Sequence, residues 1–141
     1  MALLTKSIRI ILIVLTFFLA LTAVGGGIQL LTGVFVPPVE MLNGIFNDYT
    51  IPGLALGLIV GGSALFAGIL LARKNKFAIM ASIAVGVNIM FFEFVEMLVI
   101  GSPAGPARFM QIFYFGMGTV IICVSLGQWF FDALSERVAV A

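Results

Sequence analysis

Four runs of apolar residues, each long enough to cross a lipid bilayer as a helix, occupy most of this chain. They cover about residues 8–31, 52–72, 77–100 and 108–131. A helix that spans the hydrocarbon core needs about 20 apolar residues. A transmembrane β-barrel would show segments of about ten residues that alternate between polar and apolar, and the sequence has no such alternation. We therefore predict an all-α membrane protein, a four-helix transmembrane bundle formed by one domain over residues 1–141.

The composition supports a lipid environment for much of the side-chain surface. Of the 141 residues, 62% are hydrophobic and only 9% are charged, and the mean hydropathy is +1.27. Soluble domains are usually about 25% charged. A chain of 15.0 kDa cannot enclose so many apolar side chains in one core, so we expect many of them to contact lipid.

The cationic residues are divided unequally between the two sides of the predicted bundle. Six lie on the side of the N-terminus and of the turn between the second and third runs, and one lies on the other side. Short loops rich in Lys and Arg stay in the cytoplasm. We therefore predict an up-down-up-down bundle with both termini in the cytoplasm (N-in, C-in) and with the 32–51 and 101–107 loops outside. The six residues are Lys6, Arg9, Arg73, Lys74, Lys76 and Arg137, and the seventh is Arg108.

The basic side is expected to contact lipid and not nucleic acid. Its residues form a short strip and not a patch interleaved with aromatic side chains, which is the pattern of nucleic-acid-binding proteins. Basic residues next to a membrane attract anionic lipid headgroups. Membrane lipid is therefore an expected partner of this chain, and nucleic acid is not.

The first run also has the features of a signal peptide. Residues 1–27 combine a basic start, an apolar stretch and small residues, and Ala23-Val24-Gly25 has the form of a cleavage site. The apolar run nevertheless continues through residues 28–35. We therefore expect an uncleaved first span.

Small residues recur at helical spacing in the second run. Gly53, Gly57 and Gly61 lie four residues apart and form one smooth stripe, and Gly68 follows further along. Small residues at this spacing let another helix backbone approach closely. The partner is either another span of this chain or a second copy, and the spacing does not distinguish the two.

The first and third runs carry similar small-residue patterns. The third run has Ala78, Ser82 and Gly86 at four-residue spacing, and it is joined to the second run by a very short turn, so the two stripes could face each other. Gly25-Gly26-Gly27 in the first run indicates a kink, a break or a packing groove.

The long loop between the first and second runs has its own pattern. Pro37-Pro38 stops a continuing helix. After it, Met41, Leu42, Ile45 and Phe46 fall on one face at helical spacing. This pattern predicts a short amphipathic helix that lies on the outer interface or caps the bundle.

Two glutamates, Glu93 and Glu96, lie three residues apart inside the third run, roughly 6–10 Å from its outer end. A charged side chain inside a membrane costs roughly 2.5–3.5 kcal/mol or more, and such residues are functional candidates by default. Residues three apart share one face of a helix. Arg108, Gln111 and Tyr114 follow at the same spacing in the outer part of the fourth run. We expect these five side chains to converge.

The expected cluster has three interpretations. Two partly desolvated carboxylates tend to hold one proton or to share one cation, which is a site for transport. Arg108 could instead neutralise one carboxylate, and the cluster would then be a structural network between the third and fourth runs. The cluster could also contact a partner subunit, a lipid headgroup or a pigment.

Two further polar residues are candidates for the same site. Gln29, near the outer end of the first run, could join the cluster, and Asn88 lies near mid-depth in the third run. A Glu-x-x-Glu pair has no metal-specific spacing. No metal and no cofactor are predicted.

Catalysis has little support in the sequence. The chain has no histidine, which removes the usual general base and histidine-ligated haem or zinc. Its one cysteine, Cys123, lies in the middle of the fourth run and is expected to be a small buried apolar residue. We therefore expect a protein that is not an enzyme.

Three segments of the chain resemble a group of uncharacterised small four-span bacterial membrane proteins. They are Asn47-Asp-Tyr-Thr-Ile-Pro-Gly-Leu, the Val60-Gly-Gly of the second run and Phe92-Glu-Phe-Val-Glu-Met of the third. The resemblance covers residues 25 to about 118, implies a bacterial cytoplasmic-membrane protein and carries no activity with it. The small multidrug resistance family is similar in size and number of spans, but its essential glutamate lies in the first span, where this chain has none.

Two functions follow from the sequence. The first is a non-enzymatic membrane subunit or interaction protein, either self-associating or attached to a larger complex, as the glycine stripes suggest. The alternative is a small oligomeric transporter or channel, coupled to protons or cations through Glu93 and Glu96. The direction in which these carboxylates point, toward the bundle interior, the lipid or another copy, distinguishes the two.

Overall fold

The computed structural model describes residues 2–140, which are helical over most of their length. Within this range four helices are long and apolar enough to cross a membrane, and no strand is present. The prediction of an all-helical chain with four candidate membrane-spanning helices is therefore confirmed. The helices are α1 (Ala2–Thr32), α2 (Thr50–Ala72), α3 (Ala78–Ile100) and α4 (Pro106–Val140).

Each helix packs against two neighbours, so the four form a closed ring. The α1–α2 and α3–α4 contacts are the most extensive, and the α2–α3 and α1–α4 contacts complete the ring. We call the end that holds the start of α1, the 73–77 turn and the last turns of α4 the basic end. The opposite end, which we call the acidic end, holds Glu40, Asp48, Glu93 and Glu96.

The ring encloses a core of small and branched side chains. Many large aromatic and aliphatic side chains instead point outward and are exposed, Phe66, Phe91 and Trp129 among them. Helices that bury one face in a bundle and turn the other toward lipid show this distribution. Prominent core residues are Leu12, Leu19, Val60, Ala64, Ala67, Leu71, Val85, Ile89 and Ile121.

The glycine stripe of α2 faces α1 of the same chain. A Cβ added to Gly27 of α1 would lie 2.7 Å from the Gly53 carbonyl oxygen and 2.8 Å from Gly57 Cα. A Cβ on Gly61 would lie 2.7 Å from Val24 Cγ2. Contacts under 3.0 Å are essentially never made by real Cβ atoms, so the two backbones approach to a distance that a side chain at Gly27 would prevent. Helix α1 runs through its three consecutive glycines without a break.

The small residues of α3 face a different neighbour. A Cβ on Gly86 would lie 2.8 Å from the Gly118 carbonyl oxygen of α4, whereas Gly68 of α2 contacts Thr16 and Phe17 of α1. The expectation that the stripes of the second and third runs face each other is therefore wrong. The small residues of α2 instead lie against α1, and Gly86 of α3 lies against α4. The α1–α2 and α3–α4 contacts are the more extensive ones in the ring.

Helix α2 contains a stretch that the sequence did not predict. Residues Ala55–Gly61 form a π-helix between two α-helical segments, Thr50–Leu54 and Gly62–Ala72. Such wide turns are rare and often occur at functional sites. Here the π-helix carries Gly57 and Gly61, so it lies at the close contact with α1.

The predicted amphipathic helix in the 32–51 loop is wrong in its length. Only Val39–Leu42 is helical, as a single 3₁₀ turn. Asn43 and Gly44 follow with φ values of 52° and 72°, and this left-handed backbone ends the turn. Leu42 is nevertheless buried and forms a small second core with Tyr49 and Val99, so the loop packs onto the acidic end of the bundle.

Two smaller expectations also change. Helix α4 continues beyond residue 131, where the predicted span ends, because no glycine or proline interrupts residues 132–140. Cys123 is exposed on the outside of α4, so the prediction that it is buried is wrong. A small apolar thiol is tolerated equally well against lipid.

Candidate functional site

The polar cluster of the acidic end begins on the inner face of α3. Ser82, Gly86 and Ile89 point into the bundle at helical spacing, and Glu93 continues this face one turn further out. Glu93 is only 4% exposed. Its carboxyl group therefore lies between the helices and does not point toward lipid. Glu96, three residues further along α3, is half-buried.

Gln111 of α4 connects this face to the next helix. Its Nε2 donates to Glu96 Oε1 at 3.1 Å and to the Gly101 carbonyl oxygen at 3.0 Å. Gln111 is 2% exposed. The amide therefore joins α4, α3 and the turn between them, as the spacing of Glu96 and Gln111 predicted.

The cluster contains more hydrogen-bond acceptors than donors. Gln111 Oε1 is buried and has no hydrogen-bond partner among residues 2–140. The same part of the chain provides no hydrogen bond to the Glu93 carboxyl group, and Gln111 Nε2 is the one side-chain donor that reaches Glu96. A buried acceptor without a donor is costly, so a proton or a small cation at Gln111 Oε1 would relieve this cost.

Arg108 does not join the cluster as predicted. Its Nε donates to the Ser102 carbonyl oxygen at 3.1 Å, its Nη2 donates to the same oxygen, and the side chain is exposed. The 101–105 turn, where Gly101 and Gly105 have positive φ, brings this carbonyl within reach of the first turn of α4. A guanidinium bound there keeps its charge at the surface. Within residues 2–140 Arg108 therefore does not form the ion pair that the structural-network interpretation required.

The other candidate residues lie outside the cluster's hydrogen bonds. Asn88 Nδ2 donates to Ser63 Oγ of α2 at 3.2 Å, and it lies deeper in the bundle than Glu93. Tyr114 is half-buried, packs on the main core and meets the Phe113 ring edge-on at 5.2 Å. Gln29 is exposed on α1.

A tyrosine that was not among the predicted site residues lies close to the glutamates. Tyr49, just before α2, is 8% exposed in the second core, and its hydroxyl donates to the Pro38 carbonyl oxygen at 3.4 Å. Burial, followed by the negative charges of Glu96 and Glu40, raises the pKa of this tyrosine. The sequence feature that could have indicated this residue is its position in the Asn47–Leu54 segment, directly before an apolar run.

One hydrogen bond ties the loop to α3, and a second one orders the turn directly before α2. Asn43 Nδ2 donates to the Val99 carbonyl oxygen at 2.7 Å, near the end of α3. The Thr50 backbone N–H donates to Asp48 Oδ1 at 2.8 Å, and this hydrogen bond lowers the pKa of Asp48. The loop is therefore attached to the end of α3 through Asn43.

The chemistry of the cluster is limited to oxygen ligands and protons. No group of three His, Cys, Asp or Glu side chains suited to a metal ion occurs within residues 2–140. Two carboxylates and one amide oxygen can bind or pass a proton, or ligate a monovalent cation. Comparisons with protein-family models, with curated proteins and with solved structures found no match to this chain.

Proposed function

We propose that this chain is a small proton- or cation-transport protein of a membrane, in which Glu93, Glu96 and Gln111 hold the transported ion. The supporting observation is that the ionisable side chain of Glu93 is 4% exposed inside the ring of helices. A charged carboxylate in this position is costly, and an ionisable side chain inside a membrane bundle is a functional candidate for that reason.

The unpartnered acceptor in the cluster indicates what the site could bind. A proton on Glu93 would supply a donor for an acceptor such as Gln111 Oε1, which has no partner. A monovalent cation would instead be ligated by carboxyl and amide oxygens. Both states relieve the shortage of donors, and alternation between an occupied and an empty site is what ion transport requires.

The charge distribution supports a direction for the proposed activity. The acidic end, covered by the loop with Tyr49, faces the outside in our proposal, and the basic end faces the cytoplasm of a bacterial cell. The basis is the excess of cations at the basic end, together with the resemblance of three segments to bacterial four-span proteins.

A second candidate function is a self-associating membrane subunit. Helix α4 carries the exposed Gly116 and Cys123 and the half-buried Gly127 on one face, and a Cβ on either glycine would meet nothing within 4 Å. Small residues four apart, as Cys123 and Gly127 are, suit close contact with another transmembrane helix. The two functions are compatible if the transport protein acts as an oligomer.

Flux measurements in proteoliposomes test the proposed function. The wild-type chain is expected to dissipate an imposed proton or monovalent-cation gradient, and Glu93→Gln is expected to abolish this flux while preserving the shape of the side chain. Glu40→Gln is the matched control, because Glu40 is an exposed acid at the same end. Equal flux in wild type and Glu93→Gln, or none in wild type, would reject transport and leave the self-associating subunit as the remaining candidate.

A further inference from the structure

A cavity of about 720 Å³ opens at the basic end, far from the glutamate cluster. It lies between the start of α1, the end of α2 and the last part of α4. Three cationic side chains and one carboxylate line it, which leaves two positive charges in excess. The polar and charged lining residues are Thr5, Lys6, Arg9, Lys74, Asp132 and Ser135.

The backbone holds one of these cations in an unusual conformation. Lys74 has a φ of 54°, which is the left-handed region that favours glycine. Its N–H donates to the Leu71 carbonyl oxygen at 3.1 Å, so the tight turn fixes the lysine where its side chain lines the cavity. A glycine would form this turn at lower cost but would remove the charge.

The apolar part of the lining continues from the charged mouth into the bundle. Ile10, Ile13 and Leu71 form this part. The cavity therefore combines a cationic mouth at the end of the helices with an apolar wall along them. An amphiphile with an anionic head and a hydrocarbon chain matches this order, whereas a free ion would not use the apolar wall.

The polar face of α4 extends about two turns beyond the cavity. Asp132 and Ser135 line the cavity, and Gln128 and Ser125 continue the same face inward at helical spacing. Gln128 is fully buried, and neither its Oε1 nor its Nε2 has a hydrogen-bond partner within residues 2–140. Gln128 itself does not line the cavity; it is a buried polar group one turn inward from Asp132.

We propose that this cavity is a binding site for one anionic glycerophospholipid, with the headgroup phosphate at Lys6, Arg9 and Lys74. Basic cavities between membrane helices bind anionic lipid headgroups in this way. Asp132 adds an acceptor for a headgroup hydroxyl. The site is independent of the proposed transport function and of the glutamate cluster.

The test is a titration of the full-length chain in neutral detergent, with bound lipid counted by native mass spectrometry. Dioleoyl phosphatidylglycerol is expected to bind at one saturable site, more tightly than dioleoyl phosphatidylcholine. Arg9→Gln and Lys74→Gln are each expected to weaken this binding by about fivefold, since one basic residue near a membrane surface contributes roughly that factor. Arg9→Lys, which keeps the charge, is expected to bind as wild type does.

Lys76→Gln is the matched control, because Lys76 lies in the same turn but over the Phe77 ring at 4.9 Å and does not line the cavity. It is expected to leave the affinity unchanged. Equal loss in Lys74→Gln and Lys76→Gln would overturn the proposal in favour of general surface attraction, and equal binding of the two lipids would overturn it as well. Inorganic phosphate alone is expected not to compete; if it displaces the phosphatidylglycerol, a free anion and not a lipid is the natural occupant.

Discussion

Gln111 is the residue through which the glutamate cluster is coupled to the fold. It lies on α4, and its side chain is bonded both to Glu96 and to the turn that leads from α3 to α4. The amide therefore positions a carboxylate of the candidate site and closes the 101–105 turn at the same time. Arg108, which the sequence pointed to equally, holds only the turn.

Replacing Gln111 by Leu tests this difference. The change removes two hydrogen bonds and leaves Glu96 and the Gly101 carbonyl oxygen without their donor, which costs about 1–3 kcal/mol of unfolding free energy. Arg108→Gln loses only exposed hydrogen bonds and is expected to cost about 1 kcal/mol or less. Thermal unfolding in detergent gives both values, and a larger loss for Arg108→Gln would mean that the ion pair predicted from the sequence is present after all.

At this scale the sequence predicted which side chains are near one another and not how each is bonded. Helical spacing placed Glu93, Glu96 and Gln111 together, because period and chain direction decide that. It could not place Arg108, since a long side chain can reach a neighbouring carbonyl oxygen or a carboxylate, and the shape of the turn decides between them. Tyr49 was missed because its burial depends on the course of an irregular loop.

The contact between α1 and α2 is the element on which the shape of the ring most depends. Gly27 lies directly against Gly53 and Gly57, at the level where α2 adopts its π-helical turns. Glycine in a helix normally costs about 1 kcal/mol relative to alanine. At Gly27 that cost is offset by the close packing it permits.

A pair of alanine substitutions separates packing from helix propensity. Gly27→Ala places a Cβ at 2.7 Å from a backbone oxygen, so α1 and α2 must move apart, and we expect a loss of about 1–3 kcal/mol. Gly25→Ala, two residues away, meets nothing within 4 Å and is expected to be neutral or stabilising by up to about 1 kcal/mol. Unfolding in detergent measures both, and equal effects of the two changes would show that the close contact does not matter.

The sequence identified the helices more successfully than their contacts. Hydropathy and length determined the number of spans, because lipid imposes both. The stripe spacing of α2 did not reveal whether α1, α3 or a second copy lies against it. The π-helix at Ala55–Gly61 was not predicted either, because the residue types of this segment do not distinguish a π-helix from an α-helix.

The whole molecule is polarised from one end to the other. Two separate polar regions lie at opposite ends of the bundle: the acceptor-rich cluster around Glu93 and the cationic cavity around Arg9 and Lys74. The interior between them is mostly apolar, with the Asn88–Ser63 hydrogen bond as a polar contact along the way. In the proposed membrane orientation, the cationic cavity is the region that faces the cytoplasm.

Single cysteines test this orientation in intact cells. With Cys123→Ala as background, a cysteine introduced at Asn47 is expected to react with an impermeant maleimide, and one at Asn75 is expected not to react until the membrane is permeabilised. Asn47 is preferable to Asn43, because Asn43 holds the loop to Val99 and Asn47 is exposed. Labelling at Asn75 alone in intact cells would reverse the proposed orientation.

Infrared spectroscopy of the carboxyl groups tests the central claim most directly, because it detects the ion at the residue proposed to hold it. Reconstituted wild-type protein is titrated with protons, and separately with monovalent cations, and compared with Glu93→Gln and with the exposed control Glu40→Gln. We expect a carboxyl band that responds to one of the two titrations in wild type and in Glu40→Gln and is absent in Glu93→Gln. A spectrum in which no band that depends on Glu93 responds to either titration would contradict it.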